Sequence, residues 1–207
     1  MRVIWGRSNS SNVMKLLWFC EETGIAFERR DAGGAFGVVG EAPYKAHNPM
    51  SLVPMLEEAD GWTLWESNSI LRYLASTHPQ GTALWPVEPR RRAGIERWMD
   101  WQLAHLTPPM TVIFFTYVRT PEAERDWPAT QAALARAAAM WRVVDGHLAG
   151  GDFLEGGFSL ADIALGIFAH RWFNLPVERP DLPRLRGWYE RLLARPAYAR
   201  HVALPMS

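Results

Sequence analysis

Two short stretches hold most of the side chains able to do chemistry. In LWESNSILRYLA (64–75), Glu66 and Ser67 stand where an apolar strand end, Leu64-Trp65, meets the apolar helix face of Ile70, Leu71 and Leu74. The start of a helix presents unpaired backbone N–H groups and a partial positive charge. Ser67 placed there can cap the helix, or it can hold a ligand carboxylate with its hydroxyl and N–H. Glu66 beside it offers an acceptor for an ammonium group. An acid next to an anion site matches the α-amino and α-carboxylate of an amino acid. The plainer alternative is a helix cap beside a solvated glutamate. In GRSNSSNVMK (6–15), three hydroxyls (Ser8, Ser10, Ser11) and two amides (Asn9, Asn12) crowd the turn into the first helix.

These residues need elements to hold them. RVIWG (2–6) reads as a short buried strand. Val13, Leu16, Leu17 and Cys20 then fall at i, i+3, i+4 and i+7, one face of a helix that stops at Gly24. IAFERRD (25–31) alternates as a second strand, and two strands joined through a helix predict a parallel pair. The Gly-rich AGGAFGVVGEAP lacks a phosphate-loop pattern and reads as surface loop. Apolar runs around Asp60-Gly61 predict a hairpin. Pro54, which cannot donate to a ladder, puts the first run at a sheet edge or behind a special turn.

The Pro-rich segment after the 67–77 helix reads as a linker, and beyond it only helical patterns follow. The expected architecture is an α/β domain of βαβ-ββα order over 1–78, a linker over 79–89, and an all-α helical domain over 90–207. In LEGGFSLADIALG (154–166), Ser159 and Asp162 sit as N-cap and N3, with Phe158 and Ile163 placed as a hydrophobic staple. That pattern predicts stability, not chemistry.

The bulk composition removes several function classes. Twenty-two basic residues balance 22 acidic ones, so no net field draws the chain to nucleic acid or an anionic membrane. A single cysteine, Cys20, excludes an intramolecular disulfide and a multi-thiolate zinc site. Cys20 lies on the apolar helix face and reads as core. The six histidines show no H-x-x-x-H or H-E-x-x-H spacing, so no metal is expected. Without a long apolar run at the N-terminus or elsewhere, the expected location is the cytoplasm.

The order of these elements, with the motifs LVP (52–54) and ESNSI (66–70), resembles the cytosolic glutathione S-transferases over essentially the whole chain. The family patterns are x-Val-Pro and Glu/Asp-Ser-x-Ala-Ile, and Ser69 stands where alanine is usual. The resemblance implies a thioredoxin-like N-terminal domain with glutathione as co-substrate and no metal. It implies that Leu52 and Val53 meet the cysteinyl part of glutathione, with Pro54 in the cis form. Glu66 and Ser67 then hold the γ-glutamyl end.

No tyrosine or cysteine occupies the first turn, so the resemblance is to serine-using classes, theta-like or nu-like. Aligning S-x-x-x-x-K puts the thiolate hydroxyl at Ser10, with Asn12 as second donor and Ser11 as the alternative hydroxyl and a glutathione contact. A small hydrophobic electrophile is expected between this turn and the helices, where His105, Met110, Phe114 and Trp172 are candidates. The family also implies a homodimer and a detoxifying transferase. Glutathione-dependent disulfide reduction or peroxidase chemistry is the catalytic alternative, and a non-enzymatic binding module the other.

Overall fold

A computed structural model describes residues 1–206. The chain opens β1 (Val3–Trp5), α1 (Ser11–Thr23), β2 (Glu28–Arg30), α2 (Ala42–His47), β3 (Met55–Glu57), β4 (Thr63–Trp65) and α3 (Ser67–Thr77). The four strands form one sheet in the order β2-β1-β3-β4. β1 and β2 are parallel, as the βαβ pattern requires, with Val3 opposite Glu28. β3 runs antiparallel to β1, with Ile4 opposite Leu56, and β4 is antiparallel to β3. The Asp60-Gly61 hairpin forms: Gly61 has φ +88° and its N–H donates to the Glu58 carbonyl at 2.9 Å.

β3 is an inner strand and not an edge. Pro54 precedes it and takes the turn alternative, with a cis Val53–Pro54 peptide, so the missing N–H falls outside the ladder. A second difference lies in α2. APYKAH carries little apolar periodicity, yet it forms one short helix started by a proline near its N-terminus.

α1 shows the expected apolar face, with Val13, Leu16, Leu17 and Cys20 at 0–3 % exposure. Gly24 terminates it in the left-handed conformation at φ +69°. Lys15, Trp18 and Phe19 are buried as well, because α1 lies between the sheet layer and the C-terminal helices. Gly166 permits that approach, since a Cβ there would lie 3.0 Å from Cζ3 of Trp18. Trp18 also meets Tyr198, with ring centroids 4.7 Å apart. One apolar core therefore runs from β1 through α1 into the helical half.

The helical half begins inside the segment read as linker, where PQGTAL forms α4 (Pro79–Leu84). α5 (Pro89–Trp101) and α6 (Thr107–Phe114) follow, then α7 (Trp127–His147), α8 (Leu160–Asn174), α9 (Pro183–Leu193) and α10 (Pro196–His201). α5 and α6 are one continuous helix widened at Gln102–Leu106 into π geometry, and widened again at Phe115–Arg119. Pro108 and Pro109 lack N–H donors just beyond the first widening, which weakens the ordinary i→i−4 ladder there. Among the described residues no helix is long and apolar enough to cross a membrane.

Candidate functional site

A cleft forms where α1, the cis-proline turn and the start of α3 converge. It is lined by Asn12, Asn48, Leu52, Val53, Pro54, Glu66 and Ser67, so six of the residues singled out in the sequence meet there. The cis-proline turn is fixed by its own side chains. The Leu52 carbonyl accepts from Tyr44 Oη at 2.7 Å and from Asn48 Nδ2 at 2.8 Å. Among the described residues no turn or loop hydrogen bond engages the Val53 backbone. Its N–H and C=O remain able to pair with an extended peptide, as an added strand would.

Glu66 is the N-cap residue of α3 and has φ +73°, ψ +110°. A β-carbon residue seldom adopts that region, and such outliers collect at ligand clamps. Glu66 is exposed on the cleft, while Ser67 is buried at 3 % exposure. Ser67 is the first residue of α3 and not its N-cap, and the Glu66 side chain makes no capping bond. Its hydroxyl donates to Asn12 Oδ1 at 3.2 Å and accepts from Lys15 Nζ at 3.3 Å.

Lys15, which in the sequence serves only as the end of the S-x-x-x-x-K pattern, has a role there that the sequence reading missed. It is fully buried and its ammonium also reaches Asn68 Oδ1 at 3.1 Å and Gln102 Oε1 at 3.0 Å. All three partners are neutral. Burial lowers its pKa to about 7, with the Glu66 carboxylate pulling the other way. Lys15 thus ties the cleft floor to the π turn of the long helix. One signal was present: Lys15 is one of two lysines in the chain, and it stands in the middle of an apolar helix.

Ser10 is the N-cap residue of α1, in extended backbone at φ −81°, ψ 126°, and 7 % exposed. Its carbonyl accepts the first helical bond from Met14 N at 2.8 Å, yet its hydroxyl makes no capping bond. The turn that delivers it is tight. A Cβ at Gly6 would sit 2.4 Å from Val13 Cγ2, so only glycine lets the strand end pack onto α1. Ser11 is the first helical residue and half-buried.

The four helical candidates do not converge. Phe114 lines a second cleft against Asn9 and α8. Met110 and Trp172 are fully buried in the core, the latter beside Trp141 with ring centroids 6.3 Å apart. His105 is exposed on the π turn near Trp101. Cys20 is buried and its thiol is pushed up to about 12 by that burial. Among the described residues no group of three or more His, Cys, Asp or Glu is placed to hold a metal.

The geometry can be set beside known proteins. A model of the glutathione S-transferase N-terminal domain matches residues 9–77, and one of the C-terminal domain matches 119–191. The chain is 39 % identical to glutathione S-transferase GstB of Escherichia coli (strain K12), over 100 % of both chains. It is 28 % identical to glutathione S-transferase 3 of Zea mays, over 97 % of this chain and 92 % of that one. A solved theta class glutathione S-transferase from Xanthomonas axonopodis pv. citri, with glutathione bound, superposes with a TM-score of 0.94. That pair is 45 % identical over 100 % of this chain and 99 % of the other.

Proposed function

The chain belongs to the glutathione S-transferase family, a transferase with glutathione as co-substrate, and on that premise we propose that Ser10 is the hydroxyl that holds the glutathione thiolate. In this reading the γ-glutamyl ammonium meets Glu66 and its carboxylate meets Ser67 at the start of α3. The cysteinyl unit pairs with the Val53 backbone along the cleft. The thiol then comes to the Ser10 turn, at the positive end of the α1 dipole. Asn12, whose Oδ1 is taken by Ser67, presents its amide N–H groups as second donor.

An unperturbed thiol has a pKa of about 8.5 and is mostly protonated at neutral pH. A hydrogen bond to a charged group contributes about 1.5–3 kcal/mol, enough to lower that pKa by one to two units. The thiolate then attacks the electrophile, forming a C–S bond as the leaving group departs with its electron pair. The observation that carries this reading is the Ser10 hydroxyl: nearly buried, at a helix start, and not engaged in capping that helix. Cys20, buried in the core with its pKa raised, offers no thiol for a mixed disulfide with the protein, and disulfide reduction or peroxidase chemistry would use the same glutathione thiolate.

The finer expectations of a homodimer, a cytoplasmic location and a detoxifying role complete the proposal. Leu103, Val112 and Phe115, exposed along the long helix, support a self-association face.

The test is the ultraviolet absorbance of bound thiolate across pH. The wild type should show a bound-thiol pKa below that of free glutathione. Ser10→Ala should raise it by about one to two units and lower kcat/KM by about 10–100-fold, with glutathione affinity within a few-fold. An unchanged pKa and rate would assign Ser10 to structure and move the role to Ser11 or Asn12.

A further inference from the structure

A second cleft runs against the same turn. Asn9, Met14, Phe114, Ile167 and Arg171 line it together with His170 and the tail residues Val202, Leu204, Pro205 and Met206. Arg171 differs from the other arginines of the chain. It is the one buried arginine among the described residues, at 9 % exposure. Its guanidinium stacks on Phe114, 3.8 Å from the ring centroid, which fixes its plane.

Arginines elsewhere meet acids: Arg2 with Glu58, Arg72 with Asp100, Arg184 with Asp145, Arg195 with Glu22. No ion pair among the described residues includes Arg171 or Arg7. What surrounds Arg171 is more positive charge. Burial and the nearby Arg7 and Arg119 together lower its pKa to about 10. Arg7 is held at the turn by a 2.8 Å bond to Asn9 Oδ1.

A buried cation flanked by like charges and lacking a carboxylate is unfavourable by itself. A bound anion reverses the balance, and the planar guanidinium fork suits a carboxylate. The flanking Met14 and Ile167 suit a small apolar body.

We propose that this cleft is the electrophile site and that Arg171, aided by Arg7, selects small electrophiles that carry a carboxylate. The inference rests on the reading of the Ser10 turn as the thiolate end. The thiol proton has left to water when glutathione binds. The thiolate attacks the carbon bearing the leaving group, the C–S bond forms, and a halide leaves with its electron pair. The carboxylate stays ionised on Arg171 throughout.

The probes are iodoacetate and iodoacetamide, alike in size and differing in charge. Each kcat/KM is divided by the rate of the same reagent with free glutathione. The wild type should favour the acid by at least about tenfold on that scale. Arg171→Met should collapse the acid-to-amide ratio, and the half-buried Arg7→Gln should lower it less. A wild-type ratio at or below one overturns the proposal, and so does a ratio unchanged in both variants. Binding separates this failure from failure of the thiolate reading. If neither reagent turns over, the thiolate reading is judged by the bound-thiol pKa, and the anion site by titrating S-carboxymethylglutathione against S-carbamoylmethylglutathione. Tighter binding of the acid product, lost in Arg171→Met, sustains the site; equal binding ends it.

Discussion

Ser10 and Ser159 both stand at a helix N-cap in extended backbone, and both are buried, at 7 % and 3 % exposure. At α8 the serine is fully engaged. Ser159 and Asp162 close a capping box, with the Ser159 N–H and hydroxyl donating to Asp162 Oδ2 at 2.9 and 3.0 Å. Asp162 Oδ1 accepts from Leu154 N at 3.1 Å and from Trp188 Nε1 at 2.9 Å. At α1 position N3 is Val13, which has no group to answer the cap, and the Ser10 hydroxyl makes no capping bond. The residue type and the backbone are shared, and the third residue of the helix makes the difference. An N-cap serine with a partner at N3 stabilises a helix; one with none leaves its hydroxyl outside the cap.

The largest effect that would sharpen this contrast is at Asp162. Burial raises its pKa to about 6 against the hydrogen bonds that pull it down. Asp162→Ala leaves four buried donors without an acceptor, each costing about 1–3 kcal/mol. The melting temperature should fall steeply, while the folded fraction still binds glutathione as before. A variant that melts like the wild type would show that α8 does not need its box, and the distinction from α1 would lose its basis.

The sequence carried the α8 start completely, because a capping box is local: Ser159, Asp162 and the flanking apolar residues lie within one turn. It named the cleft residues of LVP and ESNSI through the family pattern, although the Leu52 carbonyl is held by Tyr44 and Asn48 from outside the motif. What it did not carry depends on distance. Lys15 meets Ser67, Asn68 and Gln102 across 52 to 87 residues, and its place in an apolar helix does not name those partners. Arg171 carries no mark in the sequence, and only the fold brings Phe114 and Arg7 near it. The inner position of β3 is likewise set by pairing with β1, far along the chain.

Lys15 gives a second, intermediate test, because it is the engaged polar group beneath the cleft at Ser67. Its folded pKa, about 7, lies below the 10.5 of an ordinary lysine. Between those values the unfolded chain binds more protons, so this residue makes stability rise with pH from near 7 towards 10. Lys15→Met should flatten that rise. It also leaves the Ser67, Asn68 and Gln102 groups short of a donor, a cost of about 1–3 kcal/mol, and should weaken glutathione binding through Ser67. Retained pH dependence in the variant would assign the rise to other groups and leave Lys15 a passive filler.

The smallest effect discriminates most directly between the two serines. Ser159→Ala should destabilise the protein by about 1 kcal/mol, the usual value of an N-cap side chain, and leave the bound-thiol pKa where it was. Ser10→Ala should do the opposite, shifting that pKa while the melting temperature moves by less than in Ser159→Ala, because no capping bond is lost. Each variant is the control for the other, since both remove one oxygen from a buried serine at a helix start. If both lower the melting temperature equally, Ser10 caps α1 in solution, and its hydroxyl is not held ready for the thiolate.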